Sequence, residues 1–179
     1  MNTKMSKLAL AIGALVMAGG AMAQSTATTN DATANANVIA PITIANGLTL
    51  EFGNVVAGAG TVTIAAATGN RTDSVPALTP GGQKGTVRAA TFNVAGEGTS
   101  TYAITLPAAD VELAQTGTPA NKMTVTAFTV SGTGVDSLLN TGVLAAGVAT
   151  LNVGATLNVA ALQAPGAYTG TYSVTVAYN

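Results

Sequence analysis

The chain has 179 residues, of which 7% are charged and 4% aromatic, and it contains no histidine and no cysteine. Histidine's absence removes the commonest metal ligand and the usual general base, and without cysteine there is no disulfide framework or thiolate chemistry. Six basic residues against seven acidic ones cannot build the basic footprint that nucleic acid demands, and so few charges leave a surface poorly protected against association.

Lys4 and Lys7 precede an apolar run from Leu8 to Val16, and small residues then lead to Ala21-Met22-Ala23. This order predicts a secretory signal peptide over residues 1–23, cleaved before Gln24. The apolar run is too short for a good membrane span. The mature chain is therefore expected outside the cytoplasm, with no membrane span of its own.

Residues 24–37 are rich in Ala, Thr and Asn and cannot bury enough apolar surface to order themselves. They read as an N-terminal extension, followed by one domain over residues 38–179. A two-residue period nevertheless runs through Ala32, Ala34, Ala36, Val38, Ala40, Ile42 and Ile44, the signature of a strand. Pro41 suits an edge or a strand switch, because it has no amide to donate.

Asn46-Gly47 predicts a turn, and Leu48, Leu50 and Phe52 alternate after it. Thr61–Ala67 predicts a strand with Val62, Ile64 and Ala66 inward. Thr68–Gly85 reads as a long surface loop. Thr86–Ala95, with Phe92 and Val94 inward, and Thr99–Leu106, with Tyr102, Ile104 and Leu106 inward, read as a hairpin about Gly96-Glu97-Gly98.

A second loop is expected over Pro107–Asn121. In Lys122–Ser131 the inward phase runs through Met123, Val125 and Ala127 and then shifts to Phe128 and Val130, which predicts a bulge. Thr133–Gly147 reads as a loop with one helical turn at Asp136–Leu139. Ala149–Val159 alternates through Leu151, Val153, Ala155, Leu157 and Val159.

The last stretch, Gly166–Asn179, has the clearest pattern. Tyr168, Gly170, Tyr172, Val174, Val176 and Tyr178 alternate with small or polar residues, so one face of a long strand is expected in the core. About eight short strands with turns every ~8–12 residues predict an all-β sandwich of immunoglobulin type, with a barrel as the rival architecture.

Chemistry-bearing candidates are few. Asp110 and Glu112 share a face in an extended segment, as carboxylates acting on a glycoside or binding calcium would, but a solvated edge explains them better. Gly58-Ala-Gly60 and Gly132-Thr-Gly134 lack the setting of a phosphate loop and read as turns. Thr-x-Thr pairs at Thr61, Thr99, Thr124 and Thr169 have no fixed spacing, so they read as outward strand residues and not as an ice-binding array. Neither a catalytic, a cofactor-binding nor a metal site is expected.

Gly166-Ala-Tyr-Thr-Gly-Thr-Tyr-Ser-Val-Thr-Val-Ala-Tyr resembles the closing strand of chaperone–usher pilus subunits, most of all the archaic branch and the spore-coat-U-like domains. Val153-Gly154-Ala155-Thr156-Leu157 followed by Gly166–Tyr172 is closer still to a family of secreted bacterial domains of unknown function. Leu48-Thr-Leu-Glu-Phe-Gly53 belongs to the same match.

The pilin resemblance implies an incomplete immunoglobulin-like sandwich, completed by donor-strand exchange at an open edge. Tyr168, Tyr172, Val174, Val176 and Tyr178 would form a wall of the acceptor groove. Ala32, Ala34, Ala36 and Val38 would be the donor side chains. The implied partners are further copies or other pilus subunits, a periplasmic chaperone and an outer-membrane usher.

The resulting expectation is a non-enzymatic subunit of a surface pilus or pilus-like fibre, exported through the periplasm to the cell surface. The alternative makes residues 34–44 the domain's own first strand. The protein is then a self-complete secreted sandwich binding a surface or glycan through Thr68–Gly85 and Pro107–Asn121.

Overall fold

Every second residue of the central strands turns inward, and that half of each strand is buried: Val62 and Ile64, Phe92 and Val94, Met123 and Val125, Leu151 and Val153. The computed structural model describes residues 32–77 and 83–179. The expected signal peptide, residues 24–31 of the extension and residues 78–82 of the first long loop lie outside the described residues. The chain divides into a unit ending at Asn37 and a unit spanning Val38–Asn179. In the first, residues 32–37 are exposed and belong to no strand.

The second unit is all-β, with two antiparallel sheets forming a sandwich. The larger sheet holds β1 (Thr43–Leu48), β2 (Gly60–Ile64), β3 (Arg71–Asp73), β4 (Ala90–Ala95), β6 (Val111–Gln115), β7 (Thr118–Ser131), β10 (Val148–Val159) and β11 (Tyr168–Thr169). The smaller holds β5 (Thr101–Thr105), β8 (Val135–Asp136), β9 (Thr141–Val143) and β12 (Thr175–Tyr178). The larger sheet runs β1-β4-β10-β7-β6-β11, and the smaller β12-β5-β9-β8.

Strand β10 is the spine of the larger sheet. On one side β7 follows it; on the other, β4 pairs with it as far as Val153 and β2 takes over from Ala155. The handover falls on Gly154, where a Cβ would stand 2.2 Å from the Ile64 carbonyl oxygen and 2.5 Å from the Ala66 nitrogen. Only glycine fits so close a backbone approach. The bulge expected in β7 is present, with Ala127 at a φ of 49° and a register shift against β10 between Gly154 and Thr156. It turns both Phe128 and Val130 toward the interior.

Several local expectations give way to tertiary pairing. The expected Thr86–Leu106 hairpin does not form: β4 pairs with β1 and β10, whereas β5 pairs with β9 and β12. The Gly96–Ser100 connection crosses between sheets, and the Gly96 amide is held by the Gly147 carbonyl at 2.8 Å. Alternation fixed the inward faces correctly but not the neighbours.

Asn46-Gly47 is not a turn; β1 runs through it with a register shift against β4. The stripe from Ala32 forms a strand only from Thr43 onward. The Pro107–Asn121 loop is instead β6 and the start of β7, and the Thr68–Gly85 loop contains β3. Asp136–Leu139 makes no helical turn: the Asp136 carboxylate accepts from the Leu138 and Leu139 amides at 2.9 and 3.2 Å, an Asx turn.

Two cores fill the sandwich. One gathers Val62, Ile64, Met123, Val125, Leu157 and Val159 near Phe52. The other gathers Phe92, Val94, Tyr102, Ile104, Leu144, Leu151 and Val153.

Candidate functional site

The last stretch does not run as one strand. Its first part, β11, pairs with β6 in the larger sheet, and its final part, β12, pairs with β5 in the smaller one. Gly170–Val174, between them, belongs to no ladder. The chain changes sheets here, with Gly170 lying against β6: a Cβ at Gly170 would come within 2.5 Å of the Glu112 carbonyl oxygen.

A groove of about 840 Å3 runs along Pro165–Gly170 and reaches this unpaired stretch at Gly170 and Tyr172. One wall is Pro165–Tyr172 and the other is formed within Thr49–Ala57. Its floor is apolar, made by Leu113, Met123, Val125, Phe128, Leu157 and Val159. Three strands supply that floor because β6, β7 and β10 lie side by side and turn these positions inward.

Both walls are fixed from behind. The Arg71 side chain is 3% exposed; its Nη1 donates to the carbonyls of Phe52 and Asn54, each at 2.8 Å, and its Nε to Asp73 at 2.5 Å. Glu51 and Arg88 exchange two backbone hydrogen bonds at 3.0 Å, and the Asn54 amide donates to Lys84 at 2.6 Å. On the opposite wall, Gln115 Nε2 donates to the Pro165 carbonyl, and the Tyr168 hydroxyl donates to Ala164, both at 2.8 Å. A groove pinned in this way keeps its shape while empty, which lowers the ordering cost of binding.

An aromatic cluster closes the inner end. Tyr172 stacks at a tilt on Phe128, with centroids 5.0 Å apart, and meets Phe92 edge-on at 6.3 Å. Burial pushes the Tyr172 hydroxyl up to about 12. Beyond this cluster the seam between β1 and β12 is tied shut. The Tyr178 hydroxyl accepts from the Glu97 amide at 2.6 Å and donates to the Ala40 carbonyl at 2.9 Å, while the Glu97 carboxylate accepts from the Ala40 amide at 3.1 Å. Strand β1 is paired with β4 on one side only, and β12 with β5 on one side only.

Of the residues expected in an acceptor wall, Tyr168 and Tyr172 line the groove. Val174, Val176 and Tyr178 are half-buried against the second core instead. The expected donor residues Ala32, Ala34, Ala36 and Val38 are all exposed. Asp110 is exposed, and Glu112 pairs across to Lys122 at 2.5 Å. Among the described residues no cluster of three His, Cys, Asp or Glu is placed to hold a metal.

The floor and the Arg71 brace were not anticipated. Alternation turns Met123, Val125, Leu157 and Val159 inward and the phase shift adds Phe128, but neither signal shows that these residues line an open space.

Residues 42–178 match the family described as Domain of unknown function (DUF4402). The chain belongs to that family. The DUF4402 match begins just before β1 and ends with β12, so it contains both groove walls and the whole floor. Among curated proteins and among solved structures, nothing matches the chain.

Proposed function

We propose that this DUF4402 protein is a non-enzymatic structural subunit of a secreted, pilus-like fibre, and that its copies join head-to-tail by β-strand addition. The observation that carries the reading is the groove. It has an apolar floor, braced walls and, at Gly170 and Tyr172, lining residues whose backbone belongs to no ladder. An extended segment laid there would gain main-chain hydrogen bonds and bury alternate side chains, the physics of strand addition. The sandwich is then an immunoglobulin-like one that lacks a strand.

The donor is the extension over residues 24–37 together with Val38, with Ala32, Ala34, Ala36 and Val38 facing the floor. The small donor side chains each bury little area, at about 25 cal/mol per Å2, so the main-chain hydrogen bonds carry much of the contact. Donor and acceptor surfaces differ, so the contact is heterologous and extends into a fibre unless it closes into a ring. The signal peptide, a periplasmic chaperone that covers the groove in transit, an outer-membrane usher and a cell-surface destination complete the proposal.

The test compares chain 24–179 with chain 38–179 by size-exclusion chromatography and negative-stain microscopy. Fibres or ladders from the longer form alone are the expected result. Two equally stable monomers would overturn the reading and favour the self-complete sandwich.

A further inference from the structure

Asn46-Gly47 makes no turn, and the pair sits inside strand β1 with its own chemistry still to be accounted for. Asn46 is the chain's only asparagine followed by glycine. The order matters because glycine has no Cβ to shield its amide nitrogen, and its backbone bends more freely than that of any other residue. Attack by that nitrogen on the Asn46 carboxamide carbon closes a five-membered succinimide ring.

A regular ladder resists such an attack, because it holds the backbone extended and engages main-chain amides. Strand β1 departs from a regular ladder at this pair. It is paired with β4 on one side only. The register slips between Asn46 and Leu48, opposite Phe92 and Thr91, so Gly47 is the extra residue of a bulge and has no partner across the ladder. The Leu48 amide then donates to the Thr91 hydroxyl at 2.9 Å, a side chain in place of a main-chain carbonyl. Asn46 and Gly47 are both exposed, so water reaches them. The carboxamides of Asn54, Asn121 and Asn158 are held by hydrogen bonds to Gln83, Gln115 and Thr124. That of Asn46 makes none among the described residues and is free to turn toward the Gly47 nitrogen.

We propose that Asn46 is a site of spontaneous covalent modification in the folded protein, converted with water to aspartate and isoaspartate. The Gly47 nitrogen loses its proton and bonds to Asn46 Cγ, the Cγ–Nδ2 bond breaks, and ammonia leaves with that proton. Water then opens the succinimide. Breaking the new bond to Cγ restores the ordinary backbone with an aspartate side chain. Breaking the bond to the Asn46 main-chain carbonyl carbon leaves a backbone that runs through Cγ and is longer by a methylene. One water is consumed and one ammonia released, with no change of oxidation state. Either product puts a carboxylate on an edge strand, Thr43–Leu48, that otherwise carries no charge, and charge on an edge discourages pairing with a further strand.

Incubation of the full chain in mildly alkaline buffer, followed by peptide mapping in a mass spectrometer, tests the site. The peptide containing Asn46 should become heavier by one mass unit ahead of every other asparagine peptide, and the intact protein should shift by one charge toward acid. Labelling by an isoaspartyl methyltransferase should mark the same peptide. Asn46→Gln, at an exposed position, should abolish the shift, since glutamine would have to close a larger ring. Leu157→Ala, a destabilising change in the first core, should leave the rate unchanged if the native bulge is the reacting form. Three results would overturn the proposal. The first is an acidic shift that persists in Asn46→Gln. The second is an Asn46 that keeps its amide while a synthetic peptide of residues 43–50 is converted. The third is a rate that climbs with Leu157→Ala, which would place the reaction in the unfolded chain.

Discussion

The two halves of the final stretch carry the same alternation and meet different fates. Val174, Val176 and Tyr178 are covered by β5 and the second core, and Tyr178 is tied to Ala40 and Glu97. Tyr168 and Tyr172 face a groove. The difference arises where the chain changes sheets, because Gly170–Val174 leaves the larger sheet before it has joined the smaller one. A period of two specifies which side chains turn inward. It does not specify that anything in the same chain covers them.

Substitutions in the second core, which covers the closed half, should cost far more than those beside the groove. Leu151→Ala, fully buried in the second core, should lower unfolding free energy by about 2–5 kcal/mol, measured by urea denaturation. Equal losses for Leu151 and a groove residue would remove the distinction between the halves. Phe128 is half-buried at the groove floor, so Phe128→Ala should cost the free protein about 1–1.5 kcal/mol, half of a full burial. The same variant should bind the peptide of residues 32–37 more weakly, which isothermal titration would record.

Tyr102 sharpens the comparison from within the second core that covers the closed half. It is fully buried, and its hydroxyl has no hydrogen-bond partner among the described residues. Tyr102→Phe should therefore stabilise the fold, by about 1 kcal/mol, since a buried unsatisfied hydroxyl costs that order of free energy. A clear loss of stability in thermal melts would mean that the hydroxyl is satisfied after all.

The smallest effect concerns pH. Burial raises the Tyr172 hydroxyl to about 12 and raises Tyr102 as well. In the unfolded chain both ionise near their ordinary value of 10.0. Above that pH the unfolded state loses protons that the folded state keeps, so stability is full below about pH 10 and declines as pH rises toward about 12. Ultraviolet difference titration should resolve late-ionising tyrosines in the folded chain. Occupation of the groove should delay Tyr172 further and leave Tyr102 unmoved.

Local physics is what the sequence records. The all-β class, the inward phases of β2, β4, β5 and β10 and the bulge at Phe128 were legible because each depends on side-chain alternation along a few neighbouring residues. Gly154 and Gly170 were also legible as members of short glycine-containing motifs, although their reason was not. Gly154 matters because β10 is handed from β4 to β2, and Gly170 because the chain passes close to Glu112. Those approaches are made by segments far apart in the chain.

Pairing was decided only in three dimensions. Strands β4 and β5 look like a hairpin because both alternate around a glycine-rich connection. They lie in opposite sheets because each finds partners distant in sequence, β10 for one and β12 for the other. The groove belongs to the same class of fact. Its walls come from Thr49–Ala57 and Pro165–Tyr172, its floor from β6, β7 and β10, and its brace from Arg71. Alternation turned Leu50, Phe52, Met123, Val125, Leu157, Val159, Tyr168 and Tyr172 inward, whereas Leu113 and Arg71 fell in expected loops, and the long-range register of the sheets left a space between them.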